Sequence, residues 1–307
     1  KVVSVNDIDP NIKNHAYLLN YDSIYGRTLN KIKADDNNLI YEDELISFSS
    51  KNKIDDVSWV DNSVDVVIDS SGIFQNVIDA RKIISSKLKK VIITHSPKSG
   101  IDKTIIFGAN EKTYKKDKHN IISSSICDAN ACAPVINLLE KEIGITDGFI
   151  TTLHPWLGYQ NLLDGNLKSV SSPGHFWTDF ALGRSTMDSL IPKNTTLMPA
   201  IKKALPKFDK SVHAMSFRVP TAIVSASDMT LTLDKNVSEN NIQELFLSLA
   251  NEYPDVISLN NSSLVSIDFK GIDQSCIIDL RWLKIYNKRK VKLVIWYDNE
   301  WGYSQRI

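Results

Sequence analysis

Short β-branched apolar runs alternate with helical periodicity through the first third of the chain. Val2-Val3-Ser4-Val5-Asn6 reads as a strand covered on both faces, and residues 12–19, following Pro10, read as a helix. Val64-Asp65-Val66-Val67-Ile68-Asp69 and Lys90-Val91-Ile92-Ile93-Thr94 predict two further strands, with a helical stretch from Gln75 to about Ser86 between them. Strand, helix and strand in succession predict a parallel, doubly wound α/β sheet. The rhythm changes near Ser125. Beyond it, strands are predicted over 148–153, 214–219, 221–233, 264–269 and 291–297, and helices over 131–143, 197–205 and 240–250. Fewer helices and longer strands predict an α+β domain built on an antiparallel sheet. Residues 160–185 form a long polar, Gly- and Pro-marked loop without periodicity, and loops of that length usually carry function.

Length agrees with this division, because 307 residues exceed one average domain. The 36 basic and 36 acidic residues cancel and are scattered, so the chain shows no nucleic-acid footprint. It contains no apolar run of about 18 residues, so no membrane span is expected. The three cysteines, Cys127, Cys132 and Cys276, are too few and odd in number for a disulfide framework, which favours a reducing, cytoplasmic setting. The opening KVVSVND already reads as a buried strand, so the chain is expected to lack the start of its first domain.

Cys127 is the first chemical candidate. It follows the strand-like Ile121-Ile122-Ser123 and precedes a helical pattern in which Val135, Leu138, Leu139 and Ile143 recur and Pro134 suits a first turn. A thiol at a strand-to-helix junction is expected to ionise more easily and to act as a nucleophile. The competing reading is a small buried structural cysteine. His154 closes the predicted strand Phe149-Ile150-Thr151-Thr152-Leu153 and could serve as a base toward that sulfur. A structural histidine at a strand end is the competing reading.

Four separated blocks then turn these candidates into a family resemblance. Ser123-Ser124-Ser125-Ile126-Cys127-Asp128-Ala129-Asn130-Ala131-Cys132-Ala133-Pro134 resembles the SNASCTTNCLAP active-site segment of glyceraldehyde-3-phosphate dehydrogenases. His154 in TTLHP is similar to the histidine of the family's TTVHA, at the same separation, 154 − 127 = 27. Phe217-Arg218-Val219-Pro220-Thr221 resembles the FRVPT block, and Trp296-Tyr297-Asp298-Asn299-Glu300-Trp301-Gly302-Tyr303-Ser304 resembles WYDNEFGYS. Val5-Asn6-Asp7, Tyr21-Asp22-Ser23 and Asp69-Ser70-Ser71-Gly72-Ile73-Phe74 fall in the family's order, so the likeness spans essentially the whole chain.

The resemblance implies a Rossmann-type NAD-binding domain over 1–126, lacking its first βα unit and completed by 299–307, and a catalytic domain over 127–298. It implies that Cys127 attacks an aldehyde, that His154 accepts the proton, and that a thioester remains after hydride transfer to NAD. Arg218, Thr195, Asp128 and Tyr159 would contact a small aldehyde substrate carrying phosphate. Asn6, Asp7, Ser71, Gly72, Asn299 and Tyr303 would contact NAD, with Asp7 on the adenosine ribose and Asn299 on the nicotinamide carboxamide. A carboxylate at Asp7 favours NAD over NADP. The resemblance implies a homotetramer and no metal. Taken singly, Arg218 could be a strand-edge ion pair and Asp7 a helix cap.

Three departures qualify the implied function. The twelve glycines contain no G-x-G pair, so the phosphate-binding turn is absent. The Ser before and Thr after the nucleophile, which form the family's inorganic-phosphate pocket, are Ile126 and Asp128, and the following Thr-Gly pair is Thr195-Thr196. Two Thr positions after the histidine are Leu157 and Tyr159, and the loop from His154 to Leu190 carries extra residues. An apolar side chain and an added carboxylate both disfavour a dianion, and Asp128 would also raise the thiol's pKa. The alternatives are therefore a paralogue that oxidises a different aldehyde with water as the acyl acceptor, as in the erythrose-4-phosphate branch, and a catalytically silent scaffold.

Overall fold

The computed structural model describes residues 1–59, 61–158, 160–165 and 179–307. Contacts group the chain into two compact units, Lys1–Thr104 with Tyr114–Ser124, and Ile105–Thr113 with Ser125–Ile307. The change of unit at Ser125 lies beside the expected boundary. Residues 299–307, expected with the first domain, group with the second. There Ser275 Oγ donates to the Gly302 carbonyl at 3.1 Å and Tyr303 Oη donates to the Ser125 carbonyl at 3.1 Å.

The first unit holds two four-stranded sheets. Val66–Asp69, Lys90–Ile93, Ile121–Ser123 and Lys103–Thr104 are all parallel, in that spatial order. Their alternate residues Val67, Val91, Ile93 and Ile121 are buried with Val77 and Ala80 of the helix Phe74–Ile83. Only this face is fully buried, since Val66 and Ile68 on the other face are exposed, so the apolar runs exceed what one covered face requires. In the other sheet, Ser4–Asn6 pairs in parallel with Glu44–Ser49, which continues antiparallel through Asn38–Tyr41 to Lys33–Ala34. Glu42 and Asp43, at φ 50 and 64, form the two-residue turn between the last hairpin strands. Positive φ at both central positions matches the twist of a hairpin, although neither residue advertises it as Asn-Gly would.

The second unit is organised by a seven-stranded sheet in the order Ile191–Lys193, Ser211–Arg218, Ile145–His154, Ser225–Leu233, Lys290–Tyr297, Cys276–Tyr286, Ile257–Asn260. The expectation of an antiparallel sheet holds for most neighbours, but Ser211–Arg218 runs parallel to Ile145–His154, and Ile257–Asn260 parallel to Cys276–Tyr286. The predicted strand at 264–269 is instead a 3-10 turn over Ser266–Phe269, where Asp268 Oδ2 accepts from the Val265 amide at 2.8 Å. That local bond offers the backbone an alternative to a ladder.

The helix Cys127–Glu142 packs on the inner face of this sheet. It begins four residues earlier than its apolar periodicity suggested, so Pro134 lies inside it rather than in its first turn. Ala129, Ala131, Cys132 and Ala133 are fully buried, and such small side chains let the helix approach the strands closely. Among the described residues, no helix is long and apolar enough to cross a membrane.

Candidate active site

Strand register assembles the site. His154 and Arg218 end adjacent parallel strands as direct partners, and Ser225 pairs with Tyr297 on the next two strands. Side chains alternate along a strand, so Ile150, Thr152 and His154 share the inner face with the helix Cys127–Glu142. Cys127 is the first residue of that helix, preceded by Ser125 in the left-handed conformation at φ 63. Asn299 lies two residues past the end of the Lys290–Tyr297 strand. A pocket of about 320 Å³ opens at this edge, lined among others by Cys127, Asp128, His154, Lys193, Arg218 and Asn299.

The imidazole of His154 is buried and held at Nδ1. Nδ1 meets Ser225 Oγ at 3.2 Å, and Ser225 Oγ in turn donates to Asn299 Oδ1 at 3.2 Å. A hydroxyl has one proton, so giving it to Asn299 leaves the serine oxygen to accept from Nδ1–H. Nε2 lies 3.6 Å from Asp128 Oδ2, an ion pair when the ring is protonated. The ring meets buried Tyr297 edge-on at 6.1 Å between centroids. Among the described residues no hydrogen bond joins His154 to Cys127, so the carboxylate stands where the sequence led one to expect a sulfur partner.

Asp128 is thus a central group of the pocket. Thr195 Oγ1 donates to Asp128 Oδ2 at 3.3 Å, while Asp128 Oδ1 is buried with no donor among the described residues. These surroundings overturn the expectation of an easily ionised thiol. Burial and then the Asp128 carboxylate push Cys127 up to about 12, against the Asp128 amide and Arg218, which favour the anion. Cys127 as a residue is half-buried, yet the helix start does not offset dense packing plus an adjacent negative charge.

The remaining expected residues fall as follows. Arg218 donates from Nη1 to the Pro155 carbonyl at 3.0 Å and lines the pocket. Thr195 also accepts from the Leu197 amide at 3.1 Å. Tyr159 lies outside the described residues. Lys193 was missed by the sequence reading, although alternation along Ile191–Lys193 puts it on the same face as Ile191, the register partner of Arg218. Burial, then Arg218, lower the pKa of the Lys193 ammonium, opposed by Asp128 and Cys127. Ser225 was also missed, and nothing in its sequence neighbourhood marks it.

The groups expected to meet the dinucleotide fit it unevenly. Asp7, whose amide donates to the Ser49 carbonyl at 3.1 Å, is exposed at the strand end. Its Oδ1 accepts from the Asp9 amide at 2.9 Å, and Oδ2 has no hydrogen-bond partner among the described residues. Asp7 is not the helix cap; Asn11 fills that role. The Asn6 carboxamide is closed on Lys51 and Ser49, so its side chain shapes the strand end. Ser71 Oγ accepts from the Ile73 amide at 3.2 Å and from Asn76 at 3.1 Å, and Gly72, at φ 69, turns the chain beside it. In the second unit, the Asn299 amide nitrogen has no hydrogen-bond partner among the described residues, and Asn299 borders the same pocket as Cys127.

A cysteine at a helix start, with a histidine and an arginine at the ends of neighbouring strands, is an arrangement suited to covalent catalysis. Two family descriptions match the chain: the NAD binding domain of glyceraldehyde 3-phosphate dehydrogenase over residues 1–77 and its C-terminal domain over 126–299. The chain is 32% identical over 308 residues to glyceraldehyde-3-phosphate dehydrogenase 2 of Streptomyces avermitilis, covering all of this chain and 88% of that protein. It is likewise 32% identical to glyceraldehyde-3-phosphate dehydrogenase 1 of Bacillus cereus, covering 100% of this chain and 89% of the relative. With the chloroplastic GAPB enzyme of Arabidopsis thaliana it shares 34% identity over 310 residues, 67% of that protein. The chain belongs to the glyceraldehyde-3-phosphate dehydrogenase family, and NAD is its cofactor.

Proposed function

We propose that the protein oxidises a phosphorylated aldehyde, glyceraldehyde 3-phosphate or a close analogue, through a covalent adduct on Cys127. The observation that carries this reading is one pocket holding a cysteine, a histidine with its base nitrogen turned to that pocket, and an arginine. The thiol is protonated at neutral pH, so attack on the aldehyde carbon requires a base to take its proton. His154 Nε2 fills that role, and the Asp128 carboxylate 3.6 Å away stabilises the imidazolium that forms. Arg218 would hold the substrate phosphate, since a guanidinium fork matches that geometry. Asn299 would hold the nicotinamide and Asp7 the adenosine ribose. Bound NAD supplies the hydride acceptor, which leaves a thioester on Cys127.

We also propose a cytoplasmic homotetramer. Three free thiols agree with a reducing compartment. Exposed Phe149, Leu153 and Met215 share the outer face of the seven-stranded sheet, as an assembly surface would.

The test is NADH formation from glyceraldehyde 3-phosphate and from glyceraldehyde by the wild type, Cys127→Ser and Arg218→Ala. Cys127→Ser should abolish turnover. Arg218→Ala should lower kcat/KM for the phosphorylated substrate by about 30–150-fold, the loss of a charge-assisted contact of roughly 2–3 kcal/mol, and spare the unphosphorylated one. Equal effects on both substrates refute the role of Arg218.

A further inference from the structure

We propose that Lys193 is a specificity-determining residue of the Cys127 pocket, a second cation that holds the substrate's phosphate together with Arg218; the proposal deepens the aldehyde reading of that pocket and rests on it. Lys193 closes the strand Ile191–Lys193, which pairs antiparallel with Ser211–Arg218. Its register partner is Ser216, and Ile191 is the partner of Arg218. Lys193 and Arg218 are therefore diagonal neighbours on one face, about 7–8 Å apart at the backbone and within reach of long side chains. Both line the pocket that holds Cys127.

The surroundings of the Lys193 ammonium call for an anion. The residue is half-buried, and its ammonium makes no hydrogen bond or ion pair among the described residues. A cation partly removed from water without a partner is unfavourable, and the repulsion of Arg218 adds to the burial. A phosphate oxygen seated between the two cations gives the ammonium an acceptor and relieves that repulsion. Charge balance gives the same answer. Asp128 and Glu300 both line the pocket, so against Arg218 alone two carboxylates would turn an anion away. Lys193 brings the two signs level. The Leu157 side chain on the wall offers a phosphate no hydrogen bond, and the Thr195 hydroxyl gives its proton to Asp128, which leaves Lys193 as the charged donor beside Arg218.

The test compares wild type, Lys193→Met and Lys193→Arg. Methionine keeps the apolar stem and removes the charge, whereas arginine keeps the charge. NADH formation is measured with glyceraldehyde 3-phosphate and with glyceraldehyde, and calorimetry measures the binding of glycerol 3-phosphate. Lys193→Met should lower the kcat/KM preference for the phosphorylated aldehyde about 10–100-fold, the range of a charge-assisted contact, and weaken glycerol 3-phosphate by the same factor. Lys193→Arg should keep most of both. An unchanged preference, or an unchanged affinity, in Lys193→Met overturns the proposal, and an equal loss in both variants overturns it as a packing effect. If wild type forms no NADH from either aldehyde, the aldehyde reading fails and calorimetry alone decides Lys193. Glycerol 3-phosphate bound less tightly by Lys193→Met then keeps the anion site, and equal binding by wild type and variant, or none by either, removes it.

Discussion

Alkylation of Cys127 by iodoacetamide as a function of pH tests the electrostatics of the site directly. With the thiol near 12, about one sulfur in 100,000 is thiolate at pH 7, against about 3% for an exposed cysteine near pKa 8.5. The ratio is about 3,000. A more basic thiolate is intrinsically more nucleophilic, and a Brønsted slope of about 0.45 recovers about 40-fold of it. Cys127 should therefore react about 100-fold more slowly than a free thiol at pH 7. The sign follows from the upward shift: thiolate appears only as pH rises toward 12, so the rate should climb about tenfold per unit with no plateau below pH 11. Asp128→Asn removes the second contribution to that shift and should speed alkylation at every pH. Cys132 and Cys276 are fully buried and do not compete. A plateau between pH 6 and 9, with rates above those of free cysteine, refutes the reasoning. It would mean that His154 pairs with sulfur rather than with Asp128.

Two stability predictions accompany this one. Burial raises Cys132 to about 12 and Cys276 well above its ordinary value, so both stay protonated in the fold while unfolded thiols ionise above about 8.5. Stability should thus be full below that pH and fall above it by up to about 1.4 kcal/mol per pH unit per thiol. Urea unfolding of the Cys132→Ala, Cys276→Ala double variant should lose the share of this slope that belongs to these two thiols and keep that of Cys127, and an unchanged slope counts against it. Burial alone would raise Asp279, but Arg281 at 2.6 Å and Trp296 Nε1 at 3.0 Å hold its carboxyl below the usual range. Asp279→Asn removes the charge partner of Arg281, which keeps its bond to the Leu264 carbonyl, and should lower the urea midpoint. A change below about 1 kcal/mol would show that the pair is dispensable.

The linear pattern carried the two-domain division, the parallel sheet of the first unit and most strands of the second, because apolar periodicity records which face each residue buries. The blocks around Cys127, His154, Arg218 and Asn299 pointed to the family. Elements with weak local signals escaped: the Asn38–Ser49 hairpin turns on Glu42-Asp43, and the strand Cys276–Tyr286 is longer than its apolar core. What His154 meets could not be read from order along the chain, because register sets it. Ser225, 71 residues away, becomes the Nδ1 partner only when Ile145–His154 and Ser225–Leu233 align. The protonation of Cys127 was decided in the same way. A helix start is local and favours the anion, and the adjacent Asp128, visible in the sequence, opposes it, whereas the packing around the sulfur is tertiary and is the largest effect.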